Sequence, residues 1–276
     1  MPFSSSFEYG LLLLALAAAG GVSGFAAGLF GVGGGIVTVP ALYAVLQATG
    51  SNDEISLKTA IGTSLAIIIV TSTQSLRAHH QAGFVDMSVL RGWVLWIAIG
   101  SLIGASTVRW ISGEFLGVIF ALGAIIIAAR RLRPSLNKNA KPVNIHDNRI
   151  KIPLGLGTGA FSSLLGLGGG AVGVMVMKWA GRSIHQAIGT SAGFGVAVAG
   201  PGMAGFVAAG WGAPELAPFS TGYVNLIAFA VMAGAAALTA PMGARFAHAA
   251  APEILSRIFS GYVFLVAVGL LFDIFR

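Results

Sequence analysis

The chain has 276 residues, of which 56% are hydrophobic and only 9% are charged, and its mean hydropathy is +0.86. This small number of charged residues cannot cover the surface of a water-soluble globule. The chain therefore belongs in a lipid bilayer. The formal charge of +7 does not indicate nucleic-acid binding, because the sequence has no soluble module with a basic face and interleaved aromatic residues. Cytoplasmic loops of membrane proteins are basic in any case.

The absence of cysteine and the composition of the first ten residues exclude further classes of protein and of site. The chain contains no cysteine, which excludes disulfides, thiolate metal sites and cysteine nucleophiles. Residues 1–10 carry Glu8 where a signal peptide has a positive region. We therefore expect the apolar run from Leu11 to be retained as a membrane span.

Ten apolar segments follow one another, five in each half of the chain. They are 11–31, 36–48, 58–76, 88–108 and 114–129, then 153–166, 171–181, 187–207, 220–244 and 254–272. A helix needs about 20 apolar residues to cross a hydrocarbon core about 30 Å thick. The segments 153–166 and 171–181 are too short for that, so they are predicted to form a hairpin of half-helices with a glycine tip inside the protein. For the first pair, a hairpin and two full crossings both stay open.

Three blocks of the first half recur in the same order in the second half. They are GLFGVGGGIVTVP and SLLGLGGGAVGVM at 28–40 and 163–175, SLKTAIGTS and SIHQAIGTS at 56–64 and 183–191, and GFVD and GYVN at 83–86 and 222–225. The shared order and the identical AIGTS pentapeptide indicate an internal duplication.

Charge predicts how the two copies lie in the membrane. In each copy, the first two segments joined by a glycine tip add an even number of membrane crossings, and the other three segments cross once each. The total is odd, so the second copy is predicted to lie inverted in the membrane. With the basic linker placed in the cytoplasm, thirteen of the sixteen Lys and Arg residues lie inside, and only Lys58, Arg109 and Arg276 lie outside. Both termini are then expected outside.

The predicted fold is an all-α integral membrane protein built from two inverted-topology repeats of about five apolar segments each. Its helices are short or broken at the glycine triplets. The predicted division is a first repeat at 1–130, a basic cytoplasmic linker at 131–151 and a second repeat at 152–276. Inverted repeats of this kind are typical of secondary transporters.

The predicted substrate site lies at the glycine triplets, since inverted repeats bring equivalent broken helices together near the middle of the bilayer. The triplets are Gly33, Gly34 and Gly35 with Gly168, Gly169 and Gly170. Glycine lets the backbone approach a ligand, and a helix N-terminus offers free N–H groups and positive partial charge, so an anion is favoured. The alternative is that these glycines serve only close helix packing.

Polar residues near the repeated blocks are further candidates for substrate binding. They are Thr63, Ser64, Thr190, Ser191, Lys58, His185 and Gln74. The four hydroxyls either complete a small polar pocket or form hydrogen bonds within and between helices. Lys58 and His185 occupy equivalent positions and either supply charge to an anion path or act as a snorkelling anchor and a loop residue. Gln74 stands in an apolar segment and needs a polar partner.

No metal, cofactor or catalytic group is expected. His79 and His80 lack a second cluster of metal ligands. The segments contain no paired carboxylates and no nucleophile beside an oriented base, so an enzyme is not predicted. All nine carboxylates lie at segment ends or in loops, which leaves no intramembrane acid for a proton relay and the coupling ion open.

The glycine block at 28–40, followed by AIGTS and GFVD and echoed in the second half, resembles the sulfite exporter TauE/SafE family of membrane permeases. The resemblance covers essentially the whole chain. It implies a multi-pass protein of the bacterial inner membrane that moves sulfite or organosulfonates. The residues to which the resemblance assigns a functional role are 31–35, 166–170 and the Thr-Ser pairs of the AIGTS blocks. Met175 replaces Pro40 and Asn225 replaces Asp86 in the second copy, so the half-sites are expected to be unequal.

We therefore expect a secondary transporter, an exporter of a small anion, that works by alternating access around the two glycine tips. Its partners are the anionic substrate and the lipid bilayer, with no nucleic acid. Two alternatives stay open, an uncoupled anion channel and a membrane receptor or scaffold that binds without transport. The pattern carries no signal for oligomeric state.

Overall fold

The computed structural model describes residues 6–31, 33–132 and 143–249, together with 260–261, 264–265, 267–269 and 272. Its three long stretches form α1 (Ser6–Phe30), α2 (Gly35–Ala48), α3 (Asp53–Gln81), α4 (Met87–Ser106), α5 (Gly113–Leu132), α6 (Asn148–Leu164), α7 (Gly170–Trp179), α8 (Ile184–Ala209) and α9 (Leu226–Ala249). A short 3-10 helix (Thr107–Trp110) continues α4, and the strands β1 (Ser220–Thr221) and β2 (Val224–Asn225) form an antiparallel hairpin before α9.

Within this described part, five helices are long and apolar enough to cross a membrane. They are α1, α3, α4 with its 3-10 extension, α8 and α9. Three shorter apolar helices, α2, α5 and α7, lie between them. The protein is an all-α integral membrane protein, as its composition predicts. The predicted last segment, 254–272, falls for the greater part outside the described residues.

The third helix is longer than its apolar core. The apolar pattern predicts 58–76, whereas α3 runs from Asp53 to Gln81. The side chain of Asn52 caps the start of α3 by accepting a hydrogen bond from the N–H of Glu54 at 2.9 Å. The carboxylates of Asp53 and Glu54 interact favourably with the positive partial charge at the helix N-terminus. With 29 residues, α3 is about 44 Å long, so it exceeds the hydrocarbon thickness.

Small residues bring two pairs of helices into backbone contact. Every fourth residue of α1 from Gly20 to Gly28 is glycine, and a Cβ on any of the three would collide with the backbone of α9. Gly100 and Gly104 on α4 meet the backbone of α6 in the same way. Glycines at this spacing let helices approach closely. We call these two contacts the α1–α9 seam and the α4–α6 seam.

The two helices that carry the AIGTS blocks, α3 and α8, pack against each other at the centre and run antiparallel. Gly62 near the start of α3 packs on Phe206 near the end of α8, and Gly189 near the start of α8 packs on His79 near the end of α3. The apolar window of α3 is 83% buried, against at most 56% for the other spanning helices. The centre of the protein is therefore built around α3.

Candidate functional site

The two glycine blocks form tight turns of the same conformation. Backbone φ is between +61° and +80° at Gly31, Gly33, Gly34, Gly166, Gly168 and Gly169. These are matched positions of the two blocks, and any residue with a Cβ is strained there. The repeat in sequence is thus a repeat in backbone geometry. We call residues 31, 33 and 34 the first tip and residues 166–169 the second tip.

The first tip folds α2 back along α1. Ser23 on α1 lies beside α2, with its Oγ 2.6 Å from Thr38 Oγ1, and it donates a hydrogen bond to the carbonyl of Gly34 at 3.1 Å. Thr38 donates to the same carbonyl at 3.2 Å. These buried hydroxyls hold the turn in place.

The second tip belongs to a hairpin whose two ends lie together. The N–H of Val143, just before α6, donates a hydrogen bond to the carbonyl of Trp179, the last residue of α7, at 2.9 Å. Since α6 begins where α7 ends, the chain returns to the side from which it came. With ten residues, α7 is about 15 Å long, which is half of a typical hydrocarbon core.

The two tips meet in the interior of the protein. A Cβ on Gly35 would overlap the carbonyl oxygen of Gly166, so backbone touches backbone at this point. Ser64, which is wholly buried on α3, donates a hydrogen bond to the same carbonyl at 3.1 Å. The structure thus brings the two predicted glycine triplets together, with Ser64 beside them.

Two helix N-termini converge where the tips meet. The N-cap residues are Gly34 for α2, with φ of 80°, and Gly169 for α7, with φ of 70°, and no described side chain caps either helix. The first N–H groups of a helix have no acceptor within the helix, and they carry a positive partial charge. A buried centre with two such ends is suited to bind an anion.

Thr63 and Thr190 use their oxygens to hold other helices. Thr63 Oγ1 accepts a hydrogen bond from the N–H of Asn225, and Thr190 Oγ1 accepts one from the N–H of Asp86, both at 2.9 Å. Both threonines are wholly buried. The oxygen of Thr63 therefore stabilises the contact of α3 with the start of α9. The oxygen of Thr190 stabilises the contact of α8 with the start of α4.

Ser191 is equivalent to Ser64 but has different surroundings. It is wholly buried next to Gly173 of α7, and its Oγ has no hydrogen-bond partner among the described residues. The two half-sites are thus unequal at this pair, in addition to the Pro40 and Asp86 replacements.

Lys58 and His185 occupy equivalent positions near the starts of α3 and α8, and each lies against an aromatic ring. Lys58 Nζ is 2.6 Å from Glu54 Oε1 and 5.8 Å from the ring centre of Tyr223. The ring of His185 stacks on Phe84 with centres 5.2 Å apart. Tyr223 and Phe84 are themselves equivalent in the GYVN and GFVD blocks. Both side chains lie toward helix ends, away from the tips.

Two cavities open at opposite ends of α3. The Lys58 cavity, of about 320 Å³, is lined by Asn52, Glu54, Ile55, Lys58, Arg109, Pro214, Glu215 and Tyr223. The Arg77 cavity, of about 420 Å³, is lined by Gln74, Arg77, Ala78, Gln81, Ala82, Pro241 and Arg245. The first has two acids and two bases, and the second has two bases and no acid among its described lining residues. Each cavity gathers charged residues that the charge pattern predicts on one side of the membrane.

Gln74 lines the Arg77 cavity, and the glycine tips lie on another side of α3. Residues 74, 77, 78 and 81 share one helix face, whereas Ile68, which contacts both tips, lies on the opposite face. Gln74 therefore faces the Arg77 cavity and not the glycine tips.

The repeat does not single out two further buried serines of α3. Ser72 and Ser75 are each 1% exposed, and their hydroxyls have no hydrogen-bond partner among the described residues. Ser72 Oγ lies beside Gly33 of the first tip and Gly195 of α8. The signal that points to them is helical spacing, since 68, 72 and 75 fall on one face of α3.

The comparisons with known proteins agree with this architecture. The sulfite exporter TauE/SafE family matches residues 16–270. The chain belongs to this family. A probable membrane transporter protein of Haemophilus influenzae is 30% identical over 251 residues, which is 91% of this chain and 95% of that protein. Another from Methanocaldococcus jannaschii is 25% identical over 280 residues, covering 98% of this chain and all of that protein.

No solved structure matches the chain. Family membership, the names of the relatives and the apolar helices together identify a multi-pass membrane transporter.

Proposed function

We propose that the protein is a secondary transporter of the inner membrane that exports a small anion, sulfite or an organosulfonate, by alternating access around the two glycine tips. The observation that carries the proposal is the convergence of two uncapped helix N-termini, at Gly34 and Gly169, in the buried centre. Free N–H groups and positive partial charge favour an anion there, and the family description names sulfite.

The contacts support two inverted repeats, 1–130 and 152–276, as the basis of the mechanism. The equivalent helices α3 and α8 run antiparallel, as inversion requires. The α1–α9 seam has its counterpart in the α4–α6 seam, with the order of the copies exchanged. The hydrogen bond of Thr63 to Asn225 has its counterpart in that of Thr190 to Asp86.

Alternating access requires a closed centre between two openings, and the arrangement of the cavities is consistent with that. Lys58 and Gln74 line different cavities, and their separation of 16 positions along α3 corresponds to about 24 Å. The touching backbones of Gly35 and Gly166 lie between the two ends. An open channel would instead need a continuous path.

Charge supports loading from the side of the Arg77 cavity. Arg77 and Arg245 are predicted to be cytoplasmic, and no described lining residue of that cavity is acidic. A concave site of one sign raises the local concentration of oppositely charged substrate. Loading of an anion from the cytoplasm is the first step of export.

Flux measurement tests the proposal. Purified protein is placed in liposomes loaded with labelled sulfite or with ethanesulfonate, and counterflow is followed at increasing external concentrations. A carrier gives saturable exchange. Flux that rises without saturation contradicts a carrier in favour of a channel, and binding without flux contradicts it in favour of a receptor or scaffold. Protein-free liposomes give the background flux across the lipid itself.

A further inference from the structure

We propose that Ser72 binds the transported anion directly and that Ile68 limits the size of that anion. On this basis the wild-type site takes a small oxyanion, such as sulfite, in preference to a longer organosulfonate. This inference rests on the proposed function, because it assigns residues and a substrate size to the site between the glycine tips.

The hydroxyl of Ser72 lies in a notch between backbones. A Cβ on Gly33 would stand 3.4 Å from Ser72 Oγ, and a Cβ on Gly195 would overlap the same oxygen. The carbonyl of Gly168 lies 3.0 Å from that same Cβ position on Gly195. Ser72 Oγ is therefore placed among the first tip, the second tip and α8, where the two helix N-termini converge.

An unpaired hydroxyl in this position calls for a ligand. Ser72 is 1% exposed, and its Oγ has no hydrogen-bond partner among the described residues. Burying a hydroxyl without a partner is costly, and most buried polar side chains in proteins are paired. A hydroxyl donates a hydrogen bond to an anion, as the N–H groups of the tips do, so one oxyanion satisfies all of these donors.

The site is closed on one side by Ile68. Its side chain is wholly buried and contacts both tips, because a Cβ on Gly33 would lie 3.0 Å from Ile68 Cγ2 and one on Gly168 would lie 2.6 Å from it. The position equivalent to Ile68 in the second AIGTS helix is Gly195, which has no side chain. At this pair of equivalent positions only α3 places a side chain beside the tips, so shortening Ile68 enlarges the space that an anion can occupy between them.

The first test is Ser72→Ala, with Ser56→Ala as the matched control. Ser56 is also a buried serine of α3 without a described hydrogen-bond partner, but it lies about four turns along the helix from Ser72. We expect Ser72→Ala to raise the half-saturating sulfite concentration by about tenfold to a hundredfold, the effect of losing one hydrogen bond to a charged group. Ser56→Ala is expected to match the wild type. Equal affinity in the two variants would overturn the role of Ser72.

The second test is Ile68→Ala, with Ile67→Ala as its control. Ile67 is equally buried on α3, but the 100° rotation per residue turns it away from the tips. We expect Ile68→Ala to raise the ratio of ethanesulfonate to sulfite transport by about tenfold, comparable to the effect of one or two methylene groups on discrimination in a pocket. Ile67→Ala leaves the ratio unchanged. A ratio that moves equally in both variants contradicts the role of Ile68.

The two levels of the proposal fail in different ways. Wild-type protein that moves neither anion contradicts the proposed function itself. Wild-type protein that shows saturable exchange, while Ser72→Ala and Ile68→Ala behave as their controls do, contradicts only the placement of the site. Elution as a single species in detergent establishes for every variant that the protein is folded before the flux is compared.

Discussion

Thr63 Oγ1 accepts a hydrogen bond from the backbone N–H of Asn225 at 2.9 Å, although 162 positions separate the two residues. Thr190 and Asp86 repeat this bond at the same distance. Asn225 and Asp86 in turn accept hydrogen bonds from backbone N–H groups three residues onward, at 2.9 Å and 3.1 Å, and so cap α9 and α4. Each central helix therefore fixes the start of a helix in the other half of the chain.

Thr63→Val tests this connection. Valine has nearly the same shape but leaves the buried N–H of Asn225 without an acceptor, at a cost of about 1–3 kcal/mol. We expect a lower apparent melting temperature in detergent. Thr63→Ser keeps the hydroxyl and serves as the control. If the valine and serine variants melt together, the hydrogen bond does not stabilise the protein.

Gly35→Ala tests the contact between the tips. The added methyl group would overlap the carbonyl of Gly166, so the start of α2 must move away, at a cost of about 1–3 kcal/mol. We expect the initial rate of anion exchange to be lost. The control is Gly157→Ala on α6, where nothing lies within 4 Å of the new methyl group. Equal exchange rates in the two variants would show that transport does not need the touching tips.

The double variant Arg77→Gln with Arg245→Gln tests the charge of the Arg77 cavity. Removing both cations should raise, by about tenfold at low salt, the half-saturating concentration of anion presented on that side. High salt should shrink the difference, because ions screen exposed charges. Arg91→Gln removes an exposed arginine of the same predicted side that does not line the cavity. An effect that is independent of salt, or equal in the control, contradicts the electrostatic role.

The predicted orientation is open to cysteine labelling, because the chain contains no cysteine of its own. Asp53 and His80 are exposed at opposite ends of α3. We expect Asp53→Cys to react with a membrane-impermeant maleimide on intact cells, and His80→Cys to react only after the membrane is opened. The reverse pattern would mean that the basic linker lies outside and that the topology is inverted.

The glycine tips are predictable from sequence because their backbone geometry admits almost no other residue. Positive φ at Gly33 and Gly168 requires glycine, so glycine stands at matched positions of both blocks. The helix caps are partly predictable. Asp and Asn are common turn and N-cap residues, and the side chains of Asp86 and Asn225 cap α4 and α9.

The placement of individual polar side chains is less predictable, because it depends on what lies across the helix interface. Ser72 is not preserved by the duplication, since Ala199 stands at its equivalent position. Thr63 is preserved, but its partner is 162 positions away. Gln74 stands two residues from Ser72 but faces the Arg77 cavity, because successive residues turn by 100° around a helix.

The seams have a consequence for how the chain matures. Gly24 of α1 needs the backbone of α9, and Gly104 of α4 needs that of α6, so helices made early are complemented only by helices made late. A chain severed between Leu132 and Val143 would give two fragments. Each would contain helices with a glycine-lined face whose packing partner lies on the other fragment. We expect such fragments to be degraded when made singly and to assemble into an active pair when made together.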